Sequence, residues 1–213
     1  MPKRTGLNLD SYAVIDFETT GLSPAHGARP TEIALVMVSG GEIVDRYQSL
    51  MNPGVPIPHS IQAFTGITNS MVRNAPPIRE VMREAVRFAG EHPIVAHNAA
   101  FDRKFWECET AAVHHGHGTS TFICSLLLAR RLFPGAPNHK LATLVRALGL
   151  PSDGRFHRAL ADAECTAHLF IRLQQEVARV FGVRHCDCGL MLRMQAASRH
   201  RLEQCVRTYV AEV

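Results

Sequence analysis

Short apolar runs alternate along the chain with segments of helical spacing. Tyr12–Phe17 (YAVIDF), Thr31–Val38 (TEIALVMV) and Glu42–Met51 (EIVDRYQSLM) read as three strands, and Gly40-Gly41 between the last two predicts a hairpin. A Pro-rich loop, NPGVPIPHS, follows, with short helices expected around Ser60–Phe64 and Asn69–Arg73. From Pro77 to Ala89 the apolar positions Ile78, Val81, Met82, Ala85, Val86 and Ala89 share one helical face. PIVAHN (Pro93–Asn98) predicts a fourth strand, Ala99–Val113 a helix ending before the loop HHGHGTS, and TFICS (Thr121–Ser125) a fifth strand. Helices are expected over Leu126–Phe133, over Leu141–Leu148, where Gly149 and Pro151 stop it, and over Arg158–Phe181. A strand hairpin followed by strands alternating with helices predicts an α/β fold: a mixed five-stranded sheet flanked by helices.

The pattern changes after Gly182, where VRHCDCGLMLRM leads into a polar, helix-like tail. Residues 1–181 are therefore expected to form one domain and 182–213 a helical C-terminal appendage. A chain of 213 residues that is 46% hydrophobic and 20% charged can bury a full core without disulfides. The formal net charge of +4 is mildly basic. Of the six cysteines (108, 124, 165, 186, 188 and 205), four lie in apolar helix- or strand-like segments, where buried reduced thiols are expected. The first ten residues are polar, unlike a signal peptide, and no apolar run approaches the roughly 20 residues that span a bilayer. The expectation is a cytoplasmic protein with no membrane partner.

Candidate chemistry begins in VIDFETTGLSP (Val14–Pro24). Residues i and i+2 of a strand point the same way, so Asp16 and Glu18 project together from the end of the first strand. Two like charges held that close need a cation between them. Asp102, in VAHNAAFD, falls in the first turn of a helix, and Asp162, in FHRALADAE, inside the last long helix. Four carboxylates converging on one point would select hard cations, Mg²⁺ or Mn²⁺, and could hold two of them. His157 lies five residues before Asp162, a rotation of roughly 500° on a helix, so the two can meet only if His157 sits on the entry loop. There it would suit a general base.

DFETTG, HNAAFD and HRALAD, in this order, resemble the DEDDh (DnaQ-like) 3′→5′ exonuclease family, most of all its proofreading epsilon-type members. The resemblance covers about Tyr12 to Leu173, and the ordered set is far more specific than any one motif. It implies a ribonuclease H-like exonuclease fold. It implies Asp16, Glu18, Asp102 and Asp162 as ligands of two Mg²⁺ or Mn²⁺ ions, with His157 as general base. It further implies that Thr19, Thr20, Gly21 and Leu22 hold the 3′ end, that Phe64 and Thr65 pack on the terminal nucleotide, and that Asn98 and Phe101 contact substrate. Leu22, Phe64 and Phe101 are expected to form a buried apolar cluster that grips a base without reading it. The implied partners are single-stranded DNA or RNA 3′ ends and a DNA polymerase subunit.

Leu126–Ala161 carries Arg130, Arg131, Lys140, Arg146, Arg155 and Arg158 against the single acid Asp153, a net of +5 suited to tracking phosphates. The tail lacks a Gln-led clamp-binding peptide. It holds His185, Cys186, Cys188, His200 and Cys205, but C-x-C is not the usual zinc spacing, so free thiols are expected before a zinc site. The HHGHG run is expected to be a polar loop, and Phe105 and Trp106 core. Two other readings compete with a DNA exonuclease. One is an RNA-trimming exoribonuclease, separated from it by the 2′-OH. The other is a binding module without catalysis, which would require a broken site.

Overall fold

A computed structural model describes residues 8–111, 113, 120–154 and 156–213. β1 (Asn8–Leu9) precedes the long strand β2 (Tyr12–Thr19) and the hairpin β3 (Pro30–Ser39) and β4 (Glu42–Leu50). α1 (His59–Thr65), α2 (Asn69–Val72) and α3 (Ile78–Ala89) follow. β5 (Ile94–Ala96) leads into α4 (Ala100–Thr110), and β6 (Phe122–Cys124) into α5 (Ser125–Leu132). Next come α6 (Leu141–Ala147) and α7 (Ala159–Phe181), then β7 (His185–Cys186), α8 (Cys188–Ala196) and α9 (Leu202–Glu212). The HHGHG run and Arg155 lie outside the described residues.

The main sheet has five strands in the order β4-β3-β2-β5-β6. β2, β3 and β4 are antiparallel neighbours, while β5 and β6 run parallel to β2 and to each other. This is the mixed, helix-flanked sheet that the pattern predicts. Gly40 and Gly41 both take left-handed φ, 59° and 82°. That lets a two-residue turn follow the strand twist.

β2 is covered on both sides, and its alternation sorts the core. Ala13, Ile15 and Phe17 pack with α3 and α4, while Tyr12 and Val14 pack with α5, α7 and α8. Asp16 and Glu18 continue the second series, so they emerge on the side of α7. Central β2 therefore delivers its two acids to the N-terminal turn of the longest helix.

After Gly182 the chain packs Leu190, Met191, Met194, Leu202 and Val206 into the α7-side core. β7 pairs in parallel with β1, a pairing of two-residue strands too short to leave a periodic signal. The Gln195 amide from α8 covers the free edge of β6, accepting from the Cys124 N–H (2.7 Å) and donating to the Phe122 carbonyl (3.2 Å). An otherwise unpaired sheet edge is thereby satisfied.

One cysteine departs clearly from expectation. Cys124, Cys165 and Cys186 are buried, but Cys108 is exposed. The buried side of α4 is Asp102, Phe105, Trp106 and Glu109, and Cys108 falls on the opposite side. Phe105 and Trp106 are core, as expected. Among the described residues no helix is long and apolar enough to cross a membrane.

Candidate active site

Asp16 and Glu18 meet Asp162 where β2 ends and α7 begins. One carboxylate oxygen from each lies within 4.8 Å of the others. Glu18 and Asp162 are buried and Asp16 is half-buried at the floor of a cavity of about 380 Å³. Asp102, buried in the first turn of α4, lines the same cavity. It accepts the Phe17 N–H at 3.1 Å, which pins α4 to β2 between the two strand acids.

Burial and mutual repulsion weaken these carboxyls as acids. Burial first, then Asp162, Glu32 and Asp102, pushes Glu18 up to about 8, with Arg158 opposing. Burial raises Asp102 to about 7 against its own backbone hydrogen bonds. Asp16 lies well above the usual range through burial and its acidic neighbours, and Asp162 is raised by burial. The donors fit a hard cation. Asp162 Oδ2 accepts the His157 backbone N–H at 2.9 Å, whereas Oδ1 is buried with no partner. A buried, unpaired carboxylate oxygen beside two other carboxylates needs positive charge. An all-oxygen set favours Mg²⁺-like ions over soft metals.

His157 sits one residue before the N-cap of α7, exposed, with a left-handed φ of 66°. The entry-loop position is thus the one that the spacing requires. Its ring lies 3.9 Å from that of Phe64, centroid to centroid. Asn98 also takes a left-handed φ, 69°, a conformation that asparagine tolerates, and its carbonyl accepts the Phe101 N–H as α4 begins. Thr19, Gly21, Leu22, Phe64, Thr65, Asn98 and Phe101 all line the cavity. Thr20 does not. Its hydroxyl accepts the Arg29 N–H at 2.9 Å, and its own N–H donates to the Arg29 carbonyl, so it braces the loop and borders a neighbouring groove. A Cβ on Gly21 would come within 3.3 Å of Ala28 Cβ, so glycine eases the tight packing of that turn.

Two expectations need correction. Leu22, Phe64 and Phe101 do not form a buried cluster: Leu22 is 82% and Phe64 59% exposed. Only Phe101 is half-covered, its ring 5.2 Å from that of Phe105. Phe64 meets the His157 ring, and much of the Leu22 and Phe64 surface faces solvent. The basic run is also smaller than its composition suggests. Arg131 donates to the Leu127 and Ala197 carbonyls, and Arg158 is committed to Glu32. Arg130, Lys140 and Arg146 remain exposed.

Sequence reasoning missed His97, which lines the cavity. Its Nε2 lies 2.9 Å from the His139 carbonyl and its Nδ1 2.9 Å from Ser125 Oγ. Burial lowers its pKa to about 4, so the imidazole is neutral and its Nε2–H donates to that carbonyl. Its only sequence signal is its place before Asn98 in HNAAFD. In the tail, Cys186 Sγ contacts Met191 Sδ and His185 pairs with Asp10. Among the described residues, the one group of three or more side chains placed to share a metal ion is Asp16, Glu18 and Asp162.

Residues 13–170 match the family model described as exonuclease, of RNase T type. The chain belongs to this exonuclease family. It is 35% identical over 173 residues to the DNA polymerase III subunit epsilon of Aquifex aeolicus, a match covering 81% of this chain and 85% of that subunit. It is 38% identical over 168 residues to the PolC-type DNA polymerase III of Bacillus cereus, covering 79% of this chain but 12% of the polymerase. The chain thus spans about an eighth of the length of the PolC-type relatives it matches. The solved structure of Exonuclease X in complex with 5′ overhanging duplex DNA is similar at 30% identity with a TM-score of 0.68, covering 86% of this chain and 99% of that one. E. coli Exonuclease I in complex with a dT13 oligonucleotide shares the fold, with a TM-score of 0.69 at 17% identity over 81% of this chain and 43% of that one.

The chain has a larger groove, about 930 Å³, between the C-terminal end of α7 and α9, lined by Val180, Phe181, Tyr209 and Val210. It lies beyond the far end of α7, a helix of 23 residues and hence roughly 34 Å long. The carboxylate trio is at the other end, so size does not mark the chemical site.

Proposed function

We propose that this exonuclease hydrolyses phosphodiester bonds at the 3′ end of single-stranded or frayed DNA, releasing nucleoside 5′-monophosphates with two Mg²⁺ or Mn²⁺ ions. The observation that carries the reading is the trio Asp16, Glu18 and Asp162, with its unpaired Asp162 Oδ1, beside Asp102 in one open cavity. Bound there, the two ions supply positive charge to the attacking and leaving oxygens of the displacement. Asp16, Glu18 and Asp162, with Asp102 in the same cavity, would hold these ions.

His157 is the general base. It takes a proton from the attacking water; it lines the cavity beside Phe64, on the exposed entry loop of α7. Leu22 and Phe64 offer bare apolar surface to an unstacked terminal base, and Phe101 adds a half-covered ring deeper in. Backbone groups of the Thr19–Gly21 turn and the Asn98 amide contact sugar and phosphate. Arg130, Lys140 and Arg146 follow the strand leading away from the site. Similarity to a polymerase III epsilon subunit supports work beside a DNA polymerase subunit, in proofreading or repair. The deciding assay compares release from 3′-labelled and 5′-labelled oligonucleotides, DNA and RNA, with Mg²⁺ and with EDTA. Immediate release of mononucleotide from the 3′ label alone, on DNA, with Mg²⁺ alone, is the expected result. Faster trimming of RNA would reassign the substrate.

A further inference from the structure

A fifth carboxylate lies against the metal-binding trio without joining it. Glu32 on β3 stands opposite Glu18 on β2 in the strand register and is wholly buried. Both its oxygens are already engaged. Oε1 accepts from Arg158 Nη2 at 2.7 Å and from the Gln48 amide at 2.8 Å. Oε2 accepts from Arg158 Nε at 3.1 Å and from the Ala159 backbone N–H at 3.1 Å. These four donors explain why an acid so close to the trio is not placed to share its cation.

The same bonds decide where α7 begins. Its N-cap residue, Arg158, caps none of the first N–H groups with its own side chain. The first helical N–H, that of Ala159, goes instead to Glu32 from a neighbouring strand. The N-terminus of α7 is thus capped by tertiary contact. Arg158 stands between His157, one residue upstream, and Asp162, one turn downstream. The His157 N–H to Asp162 Oδ2 bond closes a loop around it. A shift of Arg158 or Ala159 against β3 therefore moves His157 and Asp162 together, relative to Asp16 and Glu18.

We propose that Glu32 and Arg158 are positioning residues, which lock the first turn of α7 to β3 and so set His157 and Asp162 against the strand carboxylates. This rests on the exonuclease reading above, in which those two residues act on the scissile bond. A simple stabilising ion pair would affect how much protein folds. A positioning pair also affects how the folded protein works.

The test uses Glu32→Gln and Arg158→Lys in the full chain, with circular dichroism and thermal unfolding fixing the folded fraction. In Glu32→Gln an amide N–H faces donors that now meet a carboxylate. Per folded molecule, kcat on a 3′-labelled oligo-dT should fall about 10–100-fold, the usual cost of losing a supporting contact around metal ligands. KM should stay within about threefold, because Leu22 and Phe64 are untouched. Mn²⁺ affinity measured by calorimetry without substrate should fall by about 10-fold, because Asp162 is displaced. Arg158→Lys keeps the charge on a side chain that is 40% exposed, so the fold survives, but it loses the two-pronged contact. It should lose kcat about 3–10-fold if planar, two-point geometry matters. Folded variants with wild-type kcat and Mn²⁺ affinity would overturn the positioning role. If Glu32→Gln does not fold, an unchanged kcat and Mn²⁺ affinity in Arg158→Lys overturns it equally. Asp162→Asn and His157→Ala run alongside: if they too keep full activity, the roles given to those two residues in the proposed function have failed and not just this inference.

Discussion

Asp162 shows at single-residue scale how a site can cost stability. Its Oδ2 takes an N–H from the entry loop, and its Oδ1 is left buried and unpaired. Asp162→Asn should remove most of the activity while leaving the fold in place, checked by nucleotide release and thermal unfolding of the same preparation. Glu18 gives the pH dependence. Its folded-state pKa of about 8 stands above the ordinary 4.5, so the folded state holds the proton more tightly. That stabilisation is fully present below about pH 4.5 and is lost as pH rises through about 8. The metal-free protein should therefore weaken across this window, and Glu18→Gln should weaken less, because Asp16, Asp102 and Asp162 are raised as well. At pH 8 the metal-free variant should be the more stable by on the order of 2–4 kcal/mol, with the gap closing toward pH 5. Thermal melts at the two pH values in EDTA check this, and Mg²⁺ should raise the melting temperature of the wild type only. His157 is expected to act on the rate alone: His157→Ala should lower kcat by about 10²–10⁴-fold with Mn²⁺ affinity kept, measured by steady-state kinetics and calorimetry. Lost metal affinity at full kcat would make it a ligand instead.

Elements carry these residues to their places. β2 sends Tyr12 and Val14 into one core and, by the same alternation, Asp16 and Glu18 to the N-terminal turn of α7. α4 brings Asp102 with Phe105 and Trp106 on one buried side. The C-terminal elements are held by local contacts of their own. Tyr209 Oη on α9 donates to Asp187 Oδ1 at 2.7 Å, and the same oxygen caps α8 by accepting the Leu190 N–H at 2.8 Å. A Cβ on Gly189 would collide with the Tyr209 hydroxyl and come within 3.2 Å of its ring. Alanine improves helix propensity by up to about 1 kcal/mol, yet here it must push Tyr209 off Asp187. Gly189→Ala should therefore destabilise by about 1–2 kcal/mol, read from the urea midpoint. A stabilised variant would mean that Tyr209 moves aside without cost.

At the scale of the whole molecule, the open cavity rim sets the kind of substrate. Leu22 and Phe64 are exposed and line the same cavity as the carboxylates. An end that must be unstacked to reach them should be degraded more slowly than one already free. Single-stranded 3′ ends are expected to be trimmed faster than blunt duplex ends, in a direct comparison of initial rates. Equal rates would remove the role given to the apolar rim.

Much of this molecule could be read from its residues in order. Hydrophobic periodicity is local, so it was enough for the five strands of the main sheet, the long helices and the Gly40-Gly41 hairpin. Strand alternation put Asp16 and Glu18 on one side, and the helical repeat forced His157 off the helix that carries Asp162. Other features depend on residues far apart in the chain. The β1–β7 pair is too short to have a period, and Glu32 reads as one more polar position in an apolar strand. Its four donors come from β4 and from the start of α7. Thr20, Arg131 and Arg158 were available on paper for substrate, but packing spends them on Arg29, on the Leu127 and Ala197 carbonyls and on Glu32. Leu22 and Phe64 look like core by composition, yet both are mostly exposed, and Phe64 meets the His157 ring from the distant entry loop of α7. Periodicity tells which way a side chain points from its own element; which groups wait there, or whether any do, is decided only when distant elements close on one another.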